Sequence, residues 1–265
     1  MKEPEYPGTV PLYYKRYGEE HHKTIVILHG LFGSLDNWHT FARRLSSTYQ
    51  VIAVDLRNHG RSPHTGTFNM TAMRDDLLRL WDELSLEQAV LMGHSLGGKV
   101  AMAFATAYED RLSALVVLDI SPRSYPRGHD VYFDAMLSMP LNLESRQEAD
   151  QWLSKTVKSM PIRQFLMKNL ERTETGYSWK FNLNVLYDQY DAVIGPVEIL
   201  QPLSVPALFV RGAKSTYISD DDLALIRETF LNVDIVTIGN AGHWVHAEAP
   251  DALLAALTAF LYVHI

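Results

Sequence analysis

The sequence predicts an α/β fold: a mostly parallel sheet flanked by helices, with a helical cap inserted into it. Three observations carry this. Short β-branched apolar runs alternate with stretches of helical period. The alternation halts once, for about eighty residues after Asp119. A five-residue glycine–serine turn joins one apolar run to a helical stretch. A chain of 265 residues is long enough to bury a substantial core.

Taken in order, Tyr13-Tyr14-Lys15-Arg16-Tyr17 before Gly18 suits an antiparallel edge hairpin. The runs at 24–28, 51–55, 89–92, 115–119, 207–210 and 233–238 are strand candidates, and their spacing by helical segments calls for a parallel sheet. Residues 36–46 and 70–84 repeat apolar side chains every three or four positions and would cover its faces. A gap of eighty residues is too long for a plain connection, so it is expected to be structured. Within it 129–139, 145–157 and 161–170 have the pattern of short amphipathic helices, followed by Trp179, Phe181, Tyr187 and Tyr190. Most of those aromatics should pack the cap onto the sheet, with one or two lining an apolar pocket. The core is therefore assigned to residues 1–122 and 201–265, and the cap to 123–200. No internal repeat or low-complexity tract interrupts this plan.

Composition excludes several functions. A formal net charge of −7 lacks the basic face that nucleic acid requires. With no cysteine, disulfides, thiol nucleophiles and cysteine-bound metals are ruled out. The opening Met1-Lys2-Glu3-Pro4 lacks the apolar core of a secretory signal, so a cytoplasmic location is expected. No run is long enough for stable membrane insertion, and 253–263 fits a terminal helix packed on the core. Oligomeric state leaves no signature.

Chemistry concentrates at Gly93-His94-Ser95-Leu96-Gly97. In a G-x-S-x-G elbow the strand reverses so sharply into the helix that side chains two positions either side of the serine would collide. The turn lifts the Ser95 hydroxyl clear, and the helix N-terminus points N–H groups at an oxyanion formed there. A serine hydroxyl needs a base, and of eleven histidines His243 is best placed, in Asn240-Ala241-Gly242-His243-Trp244 after the last strand candidate. His246, three residues on, lacks the H-E-x-x-H pattern and a third ligand, which disfavours a metal pair. His29 and His94 are expected to brace loops. The turn His29-Gly30-Leu31-Phe32-Gly33 would place the Leu31 N–H beside that of Leu96 as a two-donor oxyanion hole.

These pieces together resemble the α/β-hydrolases, and in particular the small bacterial serine esterases of the YbfF type. The resemblance rests on His29-Gly30-Leu31-Phe32-Gly33-Ser34 with Asn37, Asp55-Leu56-Arg57-Asn58-His59-Gly60-Arg61-Ser62, the elbow extended through Gly98-Lys99, Leu118-Asp119-Ile120-Ser121-Pro122, and Gly242-His243-Trp244-Val245-His246-Ala247-Glu248. It implies cofactor-free and metal-free hydrolysis of small-molecule carboxylic esters, and of thioesters such as acyl-CoA. Where the common family pattern has an acid in a Gly-x-x-Asp turn, this chain has Gly212-Ala213-Lys214-Ser215. Serine cannot carry the charge that stabilises an imidazolium. Some members of the fold take the acid from the end of the strand after the elbow, here Asp119, and the resemblance implies that Ser215 is a hydrogen-bonding partner of the Asp119–His243 pair. Asp220, Asp221 and Asp222 compete for the role but suit a helix N-terminus.

The expected chemistry is thus acyl transfer by Ser95, His243 and Asp119. A serine at the elbow disfavours epoxide hydrolases and haloalkane dehalogenases, which use aspartate there. Carbon–carbon bond hydrolysis, lactone hydrolysis and ligand binding without turnover stay open on the same scaffold. Arg123, Arg127, Lys155 and Lys158 in the cap could meet an anionic head group, against the plainer expectation of scattered surface charge.

Overall fold

A computed structural model describes residues 6–265, so the residues bearing on a secretory segment, 1–4, lie outside the described residues. The chain runs β1 (Tyr14–Tyr17), β2 (Thr24–Leu28), a 3-10 turn (Leu35–Trp38), α1 (His39–Leu45), β3 (Gln50–Val54), α2 (Met70–Glu83), β4 (Ala89–His94) and α3 (Leu96–Ala107). A second 3-10 turn (Glu109–Arg111) leads into β5 (Leu112–Leu118). There follow α4 (Asp130–Leu137), α5 (Arg146–Ser154), α6 (Met160–Met167), β6 (Leu170–Thr173), β7 (Gly176–Trp179), α7 (Leu183–Asp188) and α8 (Asp191–Ile194). The chain closes with β8 (Ala207–Gly212), α9 (Asp222–Thr229), β9 (Val233–Ile238), α10 (Val245–Glu248) and α11 (Pro250–His264).

Seven strands form one sheet in the order β1-β3-β2-β4-β5-β8-β9. All pairings are parallel except that of β1 with β3. Every residue of β2 and β4 is buried, which is why these runs are continuously apolar and do not alternate. One sheet face packs on α2, α3 and the segment between β5 and β8; the other packs on α1 and α11. No helix of the described residues is long and apolar enough to cross a membrane.

Two expectations need correction. The opening stretch is an edge strand, not a hairpin with its neighbour: β2 is bonded on both sides by β3 and β4, which leaves β1 only the outer edge of β3. The segment after β5 is also not purely helical, since β6 and β7 pair as a short antiparallel ribbon. Three of the four β6 residues are exposed and two carry charge, so no apolar alternation marks it.

The loop after β3 is fixed by a buried ion pair. Arg57 grips Asp76 of α2 with two hydrogen bonds of 2.6 Å, and Asp76 also accepts from the Val10 backbone at 2.7 Å. Breaking a buried pair strands a charge away from water. Asp76→Ala is therefore expected to destabilise the protein by about 3–5 kcal/mol in urea unfolding, with a loss below about 1 kcal/mol counting against a structural role for the pair.

Candidate active site

The elbow is built by steric exclusion. Ser95 sits between β4 and α3 at φ 52°, a backbone conformation that side chains rarely tolerate. A Cβ on Gly97 would lie 2.6 Å from the His29 carbonyl oxygen, and one on Gly93 would overlap the Gly97 backbone. Glycine at both positions lets the chain turn tightly enough to hold Ser95 at the carboxyl edge of the sheet. The Ser95 N–H is tied to the Leu118 carbonyl at 3.0 Å.

Asp119 follows β5, the strand beside the elbow strand, and is fully buried at φ 51°. Its Oδ2 accepts from His243 Nδ1 at 2.8 Å and from the Ser215 hydroxyl, while Oδ1 accepts from the Gly212 N–H at 3.1 Å. A carboxylate on Nδ1 fixes the imidazole tautomer and leaves Nε2 as a proton acceptor. The Tyr217 ring stacks on His243 with centroids 3.9 Å apart. Ser95 and His243 border one cavity without a direct hydrogen bond between them, a contact that in such sites often tightens only with substrate. Among the competing acids, Asp222 is engaged by Arg123 at 2.7 Å and by the Ser219 N–H and hydroxyl at 2.8 Å, and Asp220 pairs with Arg211.

The loop carrying Leu31 is braced from all sides. His29 accepts from the Leu56 N–H at Nε2 and so donates from Nδ1 to the Gly30 carbonyl. Asp55 accepts from Leu35 N–H at 2.7 Å, and the buried Asn169, between α6 and β6, donates to the Phe32 carbonyl at 2.6 Å. The Leu31 and Leu96 residues both border a cavity with Ser95, and Leu96 opens α3, where N–H groups have no partner within the helix.

Two cavities meet at Ser95, of about 280 and 240 Å³. The first is lined by Lys99, Ile120, Arg123 and Tyr125; the second by His243, Trp244, Phe165 and Leu166. Leu31, Ser95, His129 and Tyr217 border both. Of the cap aromatics singled out from the sequence, Tyr190 lines a cavity, while Trp179 and Phe181 stack on each other. Of the four cap cations, Arg123 borders the first cavity but is paired with Asp222, and Arg127 pairs with Asp130 and Asp191. Sequence reasoning missed Tyr217, His129 and Lys99. Lys99 lies four residues after Ser95 on α3, a spacing that puts both on one helix face and could have identified it. Tyr217 sits in a loop with no periodicity to point to it, and His129, which the sequence places at the start of a helical stretch, lies just outside α4.

Desolvated histidines, His94 buried and His246 half-buried, flank the site as neutral rings. His94 donates from Nε2 to the His243 carbonyl at 2.8 Å, and its burial in the elbow drives its pKa well below the ordinary histidine value. His246 stacks on Trp38 at 4.3 Å, with Nδ1 shielded and unpartnered, and burial lowers its pKa to about 3. No group of acidic and histidine side chains suited to a metal ion occurs among the described residues.

A sequence model of the alpha/beta hydrolase fold matches residues 23–250. The chain is 38% identical over 245 residues to the esterase YbfF of Escherichia coli (strain K12), covering 92% of this chain and 94% of that one. It is 39% identical over 246 residues to the sn-1-specific diacylglycerol lipase ABHD11 of Mus musculus, covering 89% and 80%. A solved marine microorganism esterase superposes with a TM-score of 0.92 at 36% identity, over 95% of this chain and 99% of that one.

The neutral histidines set a pH dependence. Their folded pKa values lie below the unfolded value near 6.5, so unfolding takes up protons. The stability they contribute is complete above pH 6.5 and falls as pH drops toward the folded values. His246→Phe, which keeps the stack on Trp38, should flatten the pH 6 to pH 4 stability slope by up to about 1.4 kcal/mol per pH unit. Urea unfolding at pH 7, 6, 5 and 4 checks this; an unchanged slope would mean that His246 protonates freely in the folded state.

Proposed function

The chain belongs to the alpha/beta hydrolase fold family, and we propose that it cleaves small-molecule carboxylic esters, and thioesters such as acyl-CoA, through an acyl-enzyme on Ser95. The observation that carries this reading is the 2.8 Å bond from His243 Nδ1 to the buried Asp119 carboxylate, with Ser95 in the same cavity on a strained turn. The relatives named as an esterase and a diacylglycerol lipase, each more than 35% identical, support the ester part of this reading.

Each residue then has a role. His243 Nε2 takes the Ser95 proton as Oγ attacks the carbonyl carbon, and the Leu31 and Leu96 N–H groups receive the oxyanion. Collapse breaks the ester or thioester bond, and His243 returns the proton to the departing alcohol or thiol. Water, deprotonated by the same imidazole, releases the acyl group as a carboxylic acid and restores Ser95. Asp119 holds the imidazole and stabilises its cation; Ser215 and the Gly212 N–H hold Asp119. The leaving group belongs in the cavity that His243 borders and the acyl group in the other, because the proton is delivered from the His243 side. Residues 123–200 act as the cap over both.

Turnover of p-nitrophenyl butyrate and butyryl-CoA is expected in the wild type and lost in Ser95→Ala. Asp119→Asn should lower kcat by about 10⁴-fold in protein that still folds, while Asp222→Asn keeps most activity. If Asp222→Asn is the inactive variant and Asp119→Asn retains activity, the acid is misassigned; ester turnover surviving in Ser95→Ala rejects the nucleophile.

A further inference from the structure

His129 has no part in the chemistry above, yet it borders both cavities at the point where they meet. It immediately precedes α4, and its ring packs edge-on against Phe32 and Tyr190, with centroids 6.0 and 5.6 Å away. Nδ1 is hydrogen-bonded to the Tyr190 hydroxyl. The phenol is buried and its pKa is pushed up to about 12, so it keeps its proton. His129 Nδ1 is the one hydrogen-bond acceptor for that phenol among the described residues, and a buried O–H requires one, so the O–H donates to Nδ1. Burial holds the pKa of His129 down at about 4, so the ring is neutral at pH 7. A neutral imidazole that accepts at Nδ1 carries its proton on Nε2. No protein acceptor among the described residues takes that proton.

Resting on the Ser95 reading, we infer that His129 is a substrate-contacting specificity residue whose Nε2–H donates to an ether or hydroxyl oxygen flanking the scissile ester. The reacting oxygens are already provided for: the carbonyl oxygen by Leu31 and Leu96, the leaving oxygen by His243. A third donor at the cavity junction therefore addresses an oxygen on the flank of the substrate. A site built to hydrogen-bond such a group disfavours the analogue that lacks it, because the donor is then buried without a partner.

Two isosteric pairs test this. On the alcohol side 2-methoxyethyl butyrate is compared with butyl butyrate; on the acyl side ethyl 3-methoxypropanoate is compared with ethyl pentanoate. In at least one pair the wild type should prefer the ether ester. The kcat/KM ratio within that pair should fall about three- to tenfold in His129→Leu and less in His129→Gln, which retains an N–H donor. The pair that responds identifies the side on which the oxygen lies. Ratios that do not change in either pair, whatever the absolute rates, overturn the inference by making His129 a packing residue. Absence of turnover of all four esters by the wild type counts against the Ser95 reading instead. The tautomer is then read separately, by imidazole ¹⁵N NMR from pH 8 to 5 with His129→Leu as the assignment. A proton held on Nε2 throughout supports the inference; a ring protonated on Nδ1, or titrating near 6.5, overturns it.

Discussion

The carboxyl edge of this sheet is organised around one desolvated charge. Asp119 is fully buried, and an ionised carboxylate in that position is tolerated only when its lone pairs meet donors. Those donors come from the end of β8, from the turn after it and from the loop after β9: Gly212, Ser215 and His243. Satisfying the charge therefore draws two separate segments to the end of β5, beside the strand that leads into Ser95. The same requirement accounts for a serine at 215. A second carboxylate there would face Asp119 at hydrogen-bonding distance, where like charges repel; a hydroxyl can donate.

What was legible in the sequence is what local sterics dictate. Gly93 and Gly97 flank Ser95 because the turn leaves no room for a Cβ, a demand visible in five residues. The strands were legible because a sheet buried on both faces writes continuous apolar runs. His243 was accessible through chain order, since a parallel sheet brings its loops to one edge. Asp119 and Ser215 came through resemblance, because a hydrogen bond across 96 or 124 positions leaves no spacing to count. Tyr217 and His129 were out of reach for the same reason: Tyr217 is placed by the loop after β8 and His129 by the chain leading into α4, and neither path can be counted from spacing. The pairing of β1 was equally hidden, as its edge is decided by which strands already flank β2.

The loop carrying Leu31 and the loop after β3 show how rigidity is assembled from weak parts. Phe32 in the first and Asn58 in the second adopt positive φ, so neither loop is held by an intrinsic backbone preference. Restraint comes from outside: Asn169 holds the Phe32 carbonyl, the Asn182 N–H donates to the Asn58 carbonyl, and Asp55 ties down Leu35 and Arg61. Two of these contacts originate between β5 and β8 and two in the core. A hydrogen bond in isolation adds little net stability, about 1 kcal/mol. Several of them acting on two loops that Asp55 joins fix amide directions, which is what stabilising a developing charge requires.

Lys99 extends this coupling to the cap. It sits one helical turn beyond Ser95, buried, and its ammonium donates to the Ile194 and Gly195 carbonyls at the end of α8. Among the described residues Arg57 has Asp76 and Arg123 has Asp222, but Lys99 has no carboxylate partner, only the two carbonyls and the face of the Tyr125 ring 5.3 Å away, and burial lowers its pKa to about 8. Its hydrogen bonds are directed at the end of α8. The helix that follows Ser95 thus also carries the anchor of the segment that walls the first cavity. The wall of that cavity and the turn that holds Ser95 are tied to one helix, so moving α8 relative to Ser95 requires breaking bonds made within a turn of Ser95 itself.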